Sequence, residues 1–399
     1  MLPAPVFILG AARTPIGRYG GAFRDVHPAS MGAAAARAAL ERAGIVPAGV
    51  DEVVVGHARQ AGSGPNPARQ VGRRAGLPDA VPATTVNKAC ASGLEAVAAG
   101  ARSILIGESG VVLAGGIESM SRMPYLLDSG DARWGHRMGH FPLVDAMYRD
   151  GFRCSLCDLV MGETAELLAR DRGIGRGASD AFALESQQRA ARAIAGGAFH
   201  EELTPLTVEG PRGDVVIAAD EHPRPDTTAE DLSRLPPVFT LDGQPGIITA
   251  GSSSGITDGG AAVVLAGLEA VAAQRLQPMA RILGWTSAGV DPARMGIGPV
   301  PAVRALLERL SLTLDDFDLV ELNEAFAPQV LAVLQDLPID SARLNVHGGA
   351  IALGHPIGCT GTRILVTLLY ALRRHGLRRG LATLCVSGGM GMAMAVELA

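Results

Sequence analysis

The stretch Val86-Asn87-Lys88-Ala89-Cys90-Ala91-Ser92-Gly93-Leu94 joins the end of a strand-like run to the start of a long alanine-rich helix. The N-terminus of a helix carries a partial positive charge and unpaired backbone N–H groups. A thiol at that place is expected to lose its proton more easily than a free cysteine does. The stretch therefore predicts that Cys90 is a nucleophile on a strand-to-helix connection.

The chain on both sides alternates short apolar strands with helices. Before position 121, the pattern predicts strands over 6–9, 52–56 and 111–114 and helices over 31–44 and 90–106. After position 300, it predicts helices over 301–310, 325–335 and 359–374 and strands over 319–322, 382–386 and 393–398. This rhythm is typical of βαβ units in a buried, mostly parallel sheet. Because Cys90 precedes the strand at 111 much as Cys359 precedes the strand at 382, we interpret the chain as two structurally duplicated halves.

The composition changes between the two halves. From 122 to 241 the chain gains aromatic, proline and charged residues, which suits a less regular loop domain inserted over the site. We expect an N-terminal half made of 1–121 and 249–273, an inserted loop (lid) domain over 122–248, and a C-terminal half over 274–399.

The bulk numbers exclude several classes of protein. The 399 residues are 48% hydrophobic with a formal net charge of −5, and they contain no basic cluster of the kind that binds nucleic acid. No apolar run approaches membrane-spanning length and the N-terminus lacks a signal-peptide pattern, so we expect a cytoplasmic protein without a membrane partner. Five cysteines in such a chain predict reduced thiols rather than a disulfide framework.

Two glycine-rich motifs near the C-terminus decide the family. They are GGAIALGHPIG at 348–358 and LCVSGGMG at 384–391, and they follow ILGAARTPIG at 8–17 and the stretch around Cys90. In this order and spacing the four motifs resemble the thiolase family, specifically its acetyl-CoA acetyltransferase type, over nearly the whole chain. The resemblance implies an α/β fold of duplicated βαβ halves, with mixed five-stranded sheets packed as α/β/α/β/α layers, plus the inserted loop domain.

The resemblance implies a division of labour among three side chains. Cys90 matches the acyl-accepting nucleophile, which chemistry favours because sulfur is both a good attacking group and a good leaving group in a thioester. His355 matches the base that deprotonates Cys90. Cys385 matches a second thiol that removes the α-proton of the second acetyl-CoA, and we expect its pKa to be tuned near neutrality.

Two oxyanion holes follow from the same resemblance. Asn323 matches a residue that holds a water which, with His355, stabilises the enolate, although an asparagine before an alanine-rich helix is equally a good N-cap. The backbone N–H groups of Cys90 and Ser387 match the second hole. The family usually has glycine in place of Ser387, so we expect either a tolerant local conformation or a weaker hole.

The substrate-binding residues also rest on the resemblance. Phe152 stands where short-chain members often have leucine, which would shrink the acyl pocket and favour acetyl, whereas Val160 replaces a frequent histidine and makes substrate preference less defined than reaction type. The residues that match the walls of the acyl, pantetheine and nucleotide sites are Arg224, Ser254, Phe239, Met161, Phe152, Phe326 and Ala250.

A second constellation suggests metal chemistry. His136 and His140 are followed by Cys154 and Cys157, whose Cys-x-x-Cys spacing resembles a zinc site. Only one cysteine pair is present and the family loop needs no metal, so we expect no metal and no cofactor.

The sequence thus predicts a homodimeric or homotetrameric transferase of lipid metabolism that condenses two acetyl-CoA to acetoacetyl-CoA and CoA, and catalyses the reverse thiolysis. The nearest alternative is a 3-ketoacyl-CoA thiolase of broader chain length, which would differ only in pocket size. The alternative from another class is a non-catalytic acyl-CoA or lipid carrier, which would not need Cys90, His355 and Cys385 together.

Overall fold

The structure is a computed structural model that describes residues 2–127, 129–210 and 213–399. The α-helices of this part of the chain are α1 Pro28–Ala43, α2 Pro67–Arg74, α3 Ser92–Leu105, α4 Ser129–Trp134, α5 Met161–Asp171, α6 Arg176–Ala195, α7 Ala229–Arg234, α8 Leu268–Gln274, α9 Pro299–Leu310, α10 Ala327–Asp336, α11 Ala350–Leu353 and α12 Ile357–His375.

The strands are β1 Val6–Arg13, β2 Gly17–Arg18, β3 Glu52–His57, β4 Ala83–Val86, β5 Val111–Ser119, β6 Tyr125–Leu127, β7 Leu143–Asp145, β8 Leu206–Val208, β9 Val215–Ile217, β10 Thr240–Leu241, β11 Gln244–Pro245, β12 Thr257–Gly267, β13 Ala280–Gly289, β14 Leu319–Leu322, β15 Arg379–Val386 and β16 Met390–Leu398.

The main sheet repeats one pattern in its two halves. In the N-terminal half the order is β4-β3-β5-β12-β1, with β3 parallel to β4 and β5 and with β12 antiparallel to β5 and β1. In the C-terminal half the order is β14-β15-β16-β13, with β14 parallel to β15 and with β16 antiparallel to β15 and β13. The two halves therefore have the same mixed topology, as a duplicated fold requires.

The observed sheet has two features that the sequence did not predict. The strand of the second half that would correspond to β4 is reduced to a single parallel bridge between Val320 and Leu344. The halves are also joined into one continuous sheet, because Val6–Ile8 of β1 pairs antiparallel with Ala280–Ile282 of β13.

The layer order follows from the alternation of side chains along the strands. In β5, Val112 and Ala114 belong to the core that contains α3 and α12, whereas Val111 and Leu113 face the core formed with α1 and α2. On the other side of the molecule, α9 and α10 cover the outer face of the second half. Strands buried on both faces are apolar throughout, and the result is the predicted α/β/α/β/α arrangement with α3 and α12 in the central layer.

Most predicted elements are present, with shifted ends. The strand expected at 6–9 continues to Arg13 and the strand expected at 111–114 continues to Ser119, because both are central in the sheet and buried along their length. The helix expected at 90–106 begins only at Ser92, and the helix expected at 325–335 begins at Ala327. Cys90 therefore precedes its helix rather than opening it.

Among the described residues of the segment between β5 and β12, no strand joins the main sheet. Its strands pair with each other, as β6–β7, β8–β9 and β10–β11, and Leu203 forms a single parallel bridge with Arg13 of β1. Within the described ranges, no helix of the molecule is both long and apolar enough to cross a membrane.

Candidate active site

Cys90 lies on a tight connection between β4 and α3. The residue before it, Ala89, has φ = 45° and so lies in the left-handed region, which alanine rarely adopts. This turn directs the chain so that Cys90 is partly buried against Ala58, Met120 and Ile357. The thiol faces a central cavity of about 490 Å³.

Burial dominates the acidity of this thiol. Desolvation raises the pKa of Cys90, while hydrogen bonds from the backbone N–H groups of Ser387 and of Cys90 itself, and the charge of Arg59, act in the opposite direction. The expectation that the helix N-terminus alone would make the thiol more acidic is therefore wrong for this site. The proton needs an acceptor.

His355 is held as a neutral base. Burial, followed by the charges of Arg363 and Arg59, lowers the pKa of His355 to about 3. Its Nδ1 lies 2.6 Å from Thr360 Oγ1, and that hydroxyl donates its single proton to the carbonyl of Pro356 at 3.0 Å. The hydroxyl must then accept a hydrogen bond from Nδ1–H, which leaves Nε2 with a lone pair.

Cys385 lies at the end of β15 and is 1% exposed. It packs against Met295 and Ala325, with Met161 and Phe326 beside them. Burial, and then the proximity of Cys90, raise the pKa of Cys385. The prediction of a thiol tuned near neutrality is therefore wrong for this arrangement, because the hydrogen bond from the backbone N–H of Cys385 itself does not offset the cost of desolvating a thiolate.

Ser387 has a tolerant conformation. The left-handed φ angles of this turn belong to Gly388 (86°) and Gly389 (83°), whereas Ser387 is not among the described non-glycine residues with positive φ. The serine in place of glycine therefore creates no backbone strain. Its N–H hydrogen-bonds the Cys90 sulfur.

Asn323 is not the N-cap of the helix that follows. The cap of α10 is Phe326, whose backbone is still extended; the helix begins at Ala327, and Pro328 is well suited to its first turn. Asn323 is 1% exposed, and neither polar atom of its side-chain amide has a hydrogen-bond partner among the described residues. It is not among the described residues that line the cavity, whereas Ala325 and Phe326, which follow it closely in the chain, are.

The central cavity collects the other predicted site residues. Its walls come from both halves of the sheet and from the segment between β5 and β12. Among the residues that line it are Cys90, His355, Cys385, Ser387, Arg224, Ser254, Phe239, Met161, Phe152, Phe326 and Ala250. Arg224 also lines a neighbouring cavity of about 470 Å³.

Two glycines allow the two half-sites to meet. A Cβ at Gly93 would lie 2.8 Å from the backbone nitrogen of Thr362, and a Cβ at Gly361 would lie 3.1 Å from the Cα of Leu94. The first turns of α3 and α12 are therefore in backbone contact, which only glycine permits. This contact places Cys90, before α3, close to His355, before α12.

Comparison with known proteins identifies the family. The model of the thiolase N-terminal domain matches residues 6–269, and that of the thiolase C-terminal domain matches residues 276–398. The chain belongs to the thiolase family. It is 48% identical over 390 residues to an acetyl-CoA acetyltransferase of Pseudomonas aeruginosa, with 98% of each chain covered.

Two further thiolases are similarly close. A beta-ketoadipyl-CoA thiolase of the same organism is 47% identical over 402 residues, with 98% of each chain covered. The crystal structure of the Bacillus anthracis acetyl-CoA acetyltransferase superposes with a TM-score of 0.96 at 44% identity, covering 99% of both chains. The predicted family and fold are confirmed.

Three supporting residues of this thiolase site escaped the sequence reasoning. The Glu118 carboxylate accepts the backbone N–H of Gly358 at 2.9 Å, and the Glu324 carboxylate accepts the N–H of Ile351 at 3.1 Å. Both carboxylates link a loop near His355 to the end of a strand. The third residue is Thr360, whose hydroxyl sets the tautomer of His355. The available signal was a glutamate at or just beyond the C-terminal end of a buried strand, with Glu118 near the end of β5 and Glu324 two residues after β14.

The four side chains with zinc-like spacing do not form a ligand cluster in the described part of the chain. Within the described ranges, no group of three or more His, Cys, Asp and Glu side chains could hold a metal ion. His136 stacks on Phe141 with ring centroids 4.1 Å apart, and Cys154 is buried while Cys157 is partly exposed.

Proposed function

We propose that this thiolase is an acetyl-CoA C-acetyltransferase that uses Cys90 as its acyl carrier. The observation that carries the proposal is the convergence of two thiols and one neutral imidazole, from both halves of the sheet, on a single cavity. A non-catalytic carrier would need only the cavity. The substrates are acetyl-CoA, acetoacetyl-CoA and CoA, with no cofactor.

In the first half-reaction, His355 Nε2 accepts the proton of the Cys90 thiol as its sulfur attacks the thioester carbon of acetyl-CoA. The backbone N–H groups of Cys90 and Ser387 stabilise the oxyanion. The CoA sulfur leaves with a proton from Cys385. The products are acetyl-Cys90, CoA, a Cys385 thiolate and a protonated His355.

In the second half-reaction, the Cys385 thiolate removes the α-proton of a second acetyl-CoA. The enolate carbon attacks acetyl-Cys90, a C–C bond forms, and the Cys90 sulfur leaves with the proton of His355. A role for Asn323 in holding the water opposite His355 is supported by its unpartnered buried amide. Thiolysis is the reverse sequence.

The substrate path is proposed from the cavity walls. Phe152 and Met120 lie beside Cys90 and would bound the acyl group, whereas Met161 and Phe326 lie beside Cys385. Ala250 and Ser254 would contact the pantetheine. Arg224 would meet the nucleotide end of CoA, since it also lines the neighbouring cavity.

We further propose that 122–248 is a lid inserted into the N-terminal half, with 274–399 as the second half. Two observations support this division: the strands of 122–248 pair with each other, and this segment contributes Phe152, Arg224 and Phe239 to the cavity. A homotetramer or homodimer is supported by apolar side chains that β6, β7 and their connection expose, namely Tyr125, Leu127, Trp134, Met138, Phe141 and Leu143. Cytoplasmic location stays a prediction from the sequence.

The test is to incubate the protein with acetyl-CoA, digest it and locate the added acetyl mass, and separately to follow CoA-dependent loss of acetoacetyl-CoA. We expect a stoichiometric acetyl group on Cys90 and rapid thiolysis. An acetyl group on Cys385, or no thiolysis, would contradict the proposal.

A further inference from the structure

A buried cation lies in the wall of the central cavity, and the reaction described above does not use it. Arg59 follows β3 closely, is 7% exposed, and lines the cavity together with Cys90. Its side chain also lines a neighbouring polar cavity of about 690 Å³. Arg59 therefore borders both cavities.

The guanidinium of Arg59 has few partners. Its Nη2 donates to the carbonyl oxygen of Gly151 at 2.8 Å, while its Nε is buried and has no hydrogen-bond partner among the described residues. No carboxylate of the described chain lies within ion-pair distance of it; the ion pairs of that part of the molecule involve other cations.

The acidic side chains nearby are engaged elsewhere. Glu118 accepts the backbone N–H of Arg59 at 3.2 Å and that of Gly358 at 2.9 Å, and it lies 3.0 Å from His57 Nε2. Asp150 lies 3.2 Å from Arg149. Buried charges in proteins are almost always paired, because an arginine side chain stays protonated and its desolvation is costly. The site therefore fits an anion supplied by the ligand.

The position of Arg59 indicates which part of the ligand would carry the anion. Its charge acts on both Cys90 and His355, so it lies near the atoms that carry and activate the acyl group. Beside Cys90, the apolar side chains of Met120 and Phe152 wall the space. The phosphates of CoA are expected at the other end, because the cavity that Arg224 extends into does not include Arg59.

We propose that the acyl pocket of this enzyme accepts 3-ketoacyl-CoA substrates whose acyl chain ends in a carboxylate, and that Arg59 is the counter-ion of that carboxylate. This inference rests on the proposed thiolase function, since the chain must be carried by Cys90. Guanidinium and carboxylate form short, charge-assisted hydrogen bonds with defined geometry, which gives selectivity against a neutral chain end.

The reaction remains balanced for such a substrate. The Cys90 sulfur attacks the 3-keto carbon, the C2–C3 bond breaks, and Cys385 gives its proton to C2, so acetyl-CoA leaves. The remaining carboxyalkyl acyl group stays on Cys90 until the thiol of free CoA attacks it and gives its proton to the Cys385 thiolate. The new C–S bond to CoA forms, the bond to Cys90 breaks, and the Cys90 sulfur regains the proton that His355 had taken. The carboxylate takes no part in bond making.

Gly151 supports the same assignment. A Cβ at this position would lie 2.8 Å from Arg59 Nε, in the short turn Tyr148–Phe152. A larger residue would displace the guanidinium or cover its unpartnered face. The turn is therefore compatible with a cation that must remain accessible from the cavity.

The experiment compares two CoA thioesters of equal chain length, 3-ketoadipyl-CoA and 3-ketohexanoyl-CoA, which differ in the terminal carboxylate. For the wild-type enzyme we expect kcat/KM to favour 3-ketoadipyl-CoA by about tenfold to a hundredfold, the range for a hydrogen bond to a charged group. In Arg59→Met the ratio should fall to about one, and in Arg59→Lys it should stay well above one. Because the ratio is measured within each variant, a general loss of activity does not affect it.

The matched control is Arg18→Met, which removes another cation of the same cavity wall and should leave the ratio unchanged. A wild-type ratio near one, or a ratio that survives Arg59→Met, would overturn the assignment while thiolysis of acetoacetyl-CoA still stands. Loss of acetoacetyl-CoA thiolysis by the wild type would instead overturn the proposed function itself.

Discussion

Replacing Thr360 by valine should disable the base without disturbing the fold. The substitution keeps the size and the β-branch of the side chain and removes only the hydroxyl that lies 2.6 Å from His355 Nδ1. The carbonyl of Pro356 keeps two donors after the change, because the N–H groups of Cys359 and Thr360 bond it at 2.8 and 2.9 Å. Of the two groups bonded to the Thr360 hydroxyl, only the imidazole of His355 is therefore left without another hydrogen-bond partner in the described chain.

The magnitude follows from the tautomer equilibrium. Without an acceptor, the buried Nδ1–H form is destabilised by about 1–3 kcal/mol. The ring then prefers the form protonated on Nε2, which cannot accept the Cys90 proton. At about 1.4 kcal/mol per factor of ten, the rate of acylation should fall roughly fivefold to 150-fold, with little change in KM.

The assay is the pre-steady-state rate of acetyl-enzyme formation, measured beside the melting temperature. Thr360→Ser, which restores the hydroxyl, should recover most of the rate. The matched control is Thr362→Val in the same helix, since Thr362 is fully buried and its Oγ1 has no partner in the described chain. That variant should acylate at nearly the wild-type rate.

If Thr360→Val were acylated at the wild-type rate, the tautomer argument would be refuted. An equal loss in Thr362→Val would refute it too, because the effect would then come from packing in the first turns of α12 rather than from the imidazole.

Three further predictions concern the same site. Cys90→Ala should abolish every reaction including acetyl-enzyme formation, whereas Cys385→Ala should still be acetylated on Cys90 but should lose α-proton exchange and condensation by about 100-fold to 10,000-fold. Mass spectrometry detects the acetyl group, and deuterium exchange into acetyl-CoA measures the proton transfer. Normal exchange in Cys385→Ala would contradict the assignment of nucleophile and base. Arg224→Ala should raise the KM for CoA with a nearly unchanged kcat, because the nucleotide end binds ground and transition states alike; a collapse of kcat alone would remove Arg224 from the nucleotide end. The pKa of His355 is about 3 in the folded protein against an ordinary value of 6.5, so the unfolded chain binds a proton that the folded chain does not, and the free energy of unfolding should fall as the pH falls below about 6.5. Between pH 7 and pH 5 this group should lower the free energy of unfolding by about 2 kcal/mol. Urea unfolding should show a steeper decline with falling pH in the wild type than in His355→Gln, and equal declines would contradict the prediction.

The sequence was sufficient for the family and the duplicated architecture, and it predicted side chains that the structure brings together in one cavity. Buried parallel strands need continuous apolar runs, and tight connections between strands and helices need small residues, so both leave local signatures such as the stretch around Cys90. Those signatures depend on neighbours a few residues apart, which a single sequence displays directly.

The tertiary structure alone decided how these groups behave. Ser387 was expected to have either a tolerant conformation or a weaker oxyanion hole, and its conformation is tolerant, because the neighbouring glycines take the left-handed angles. Asn323 was a candidate N-cap, but the cap of the following helix is Phe326, and the two thiols are made less acidic by burial. The partners of Arg59 and the protonation of His355 depend on contacts between segments far apart in the chain. Burial and electrostatics are properties of such contacts, so no local pattern could reveal them.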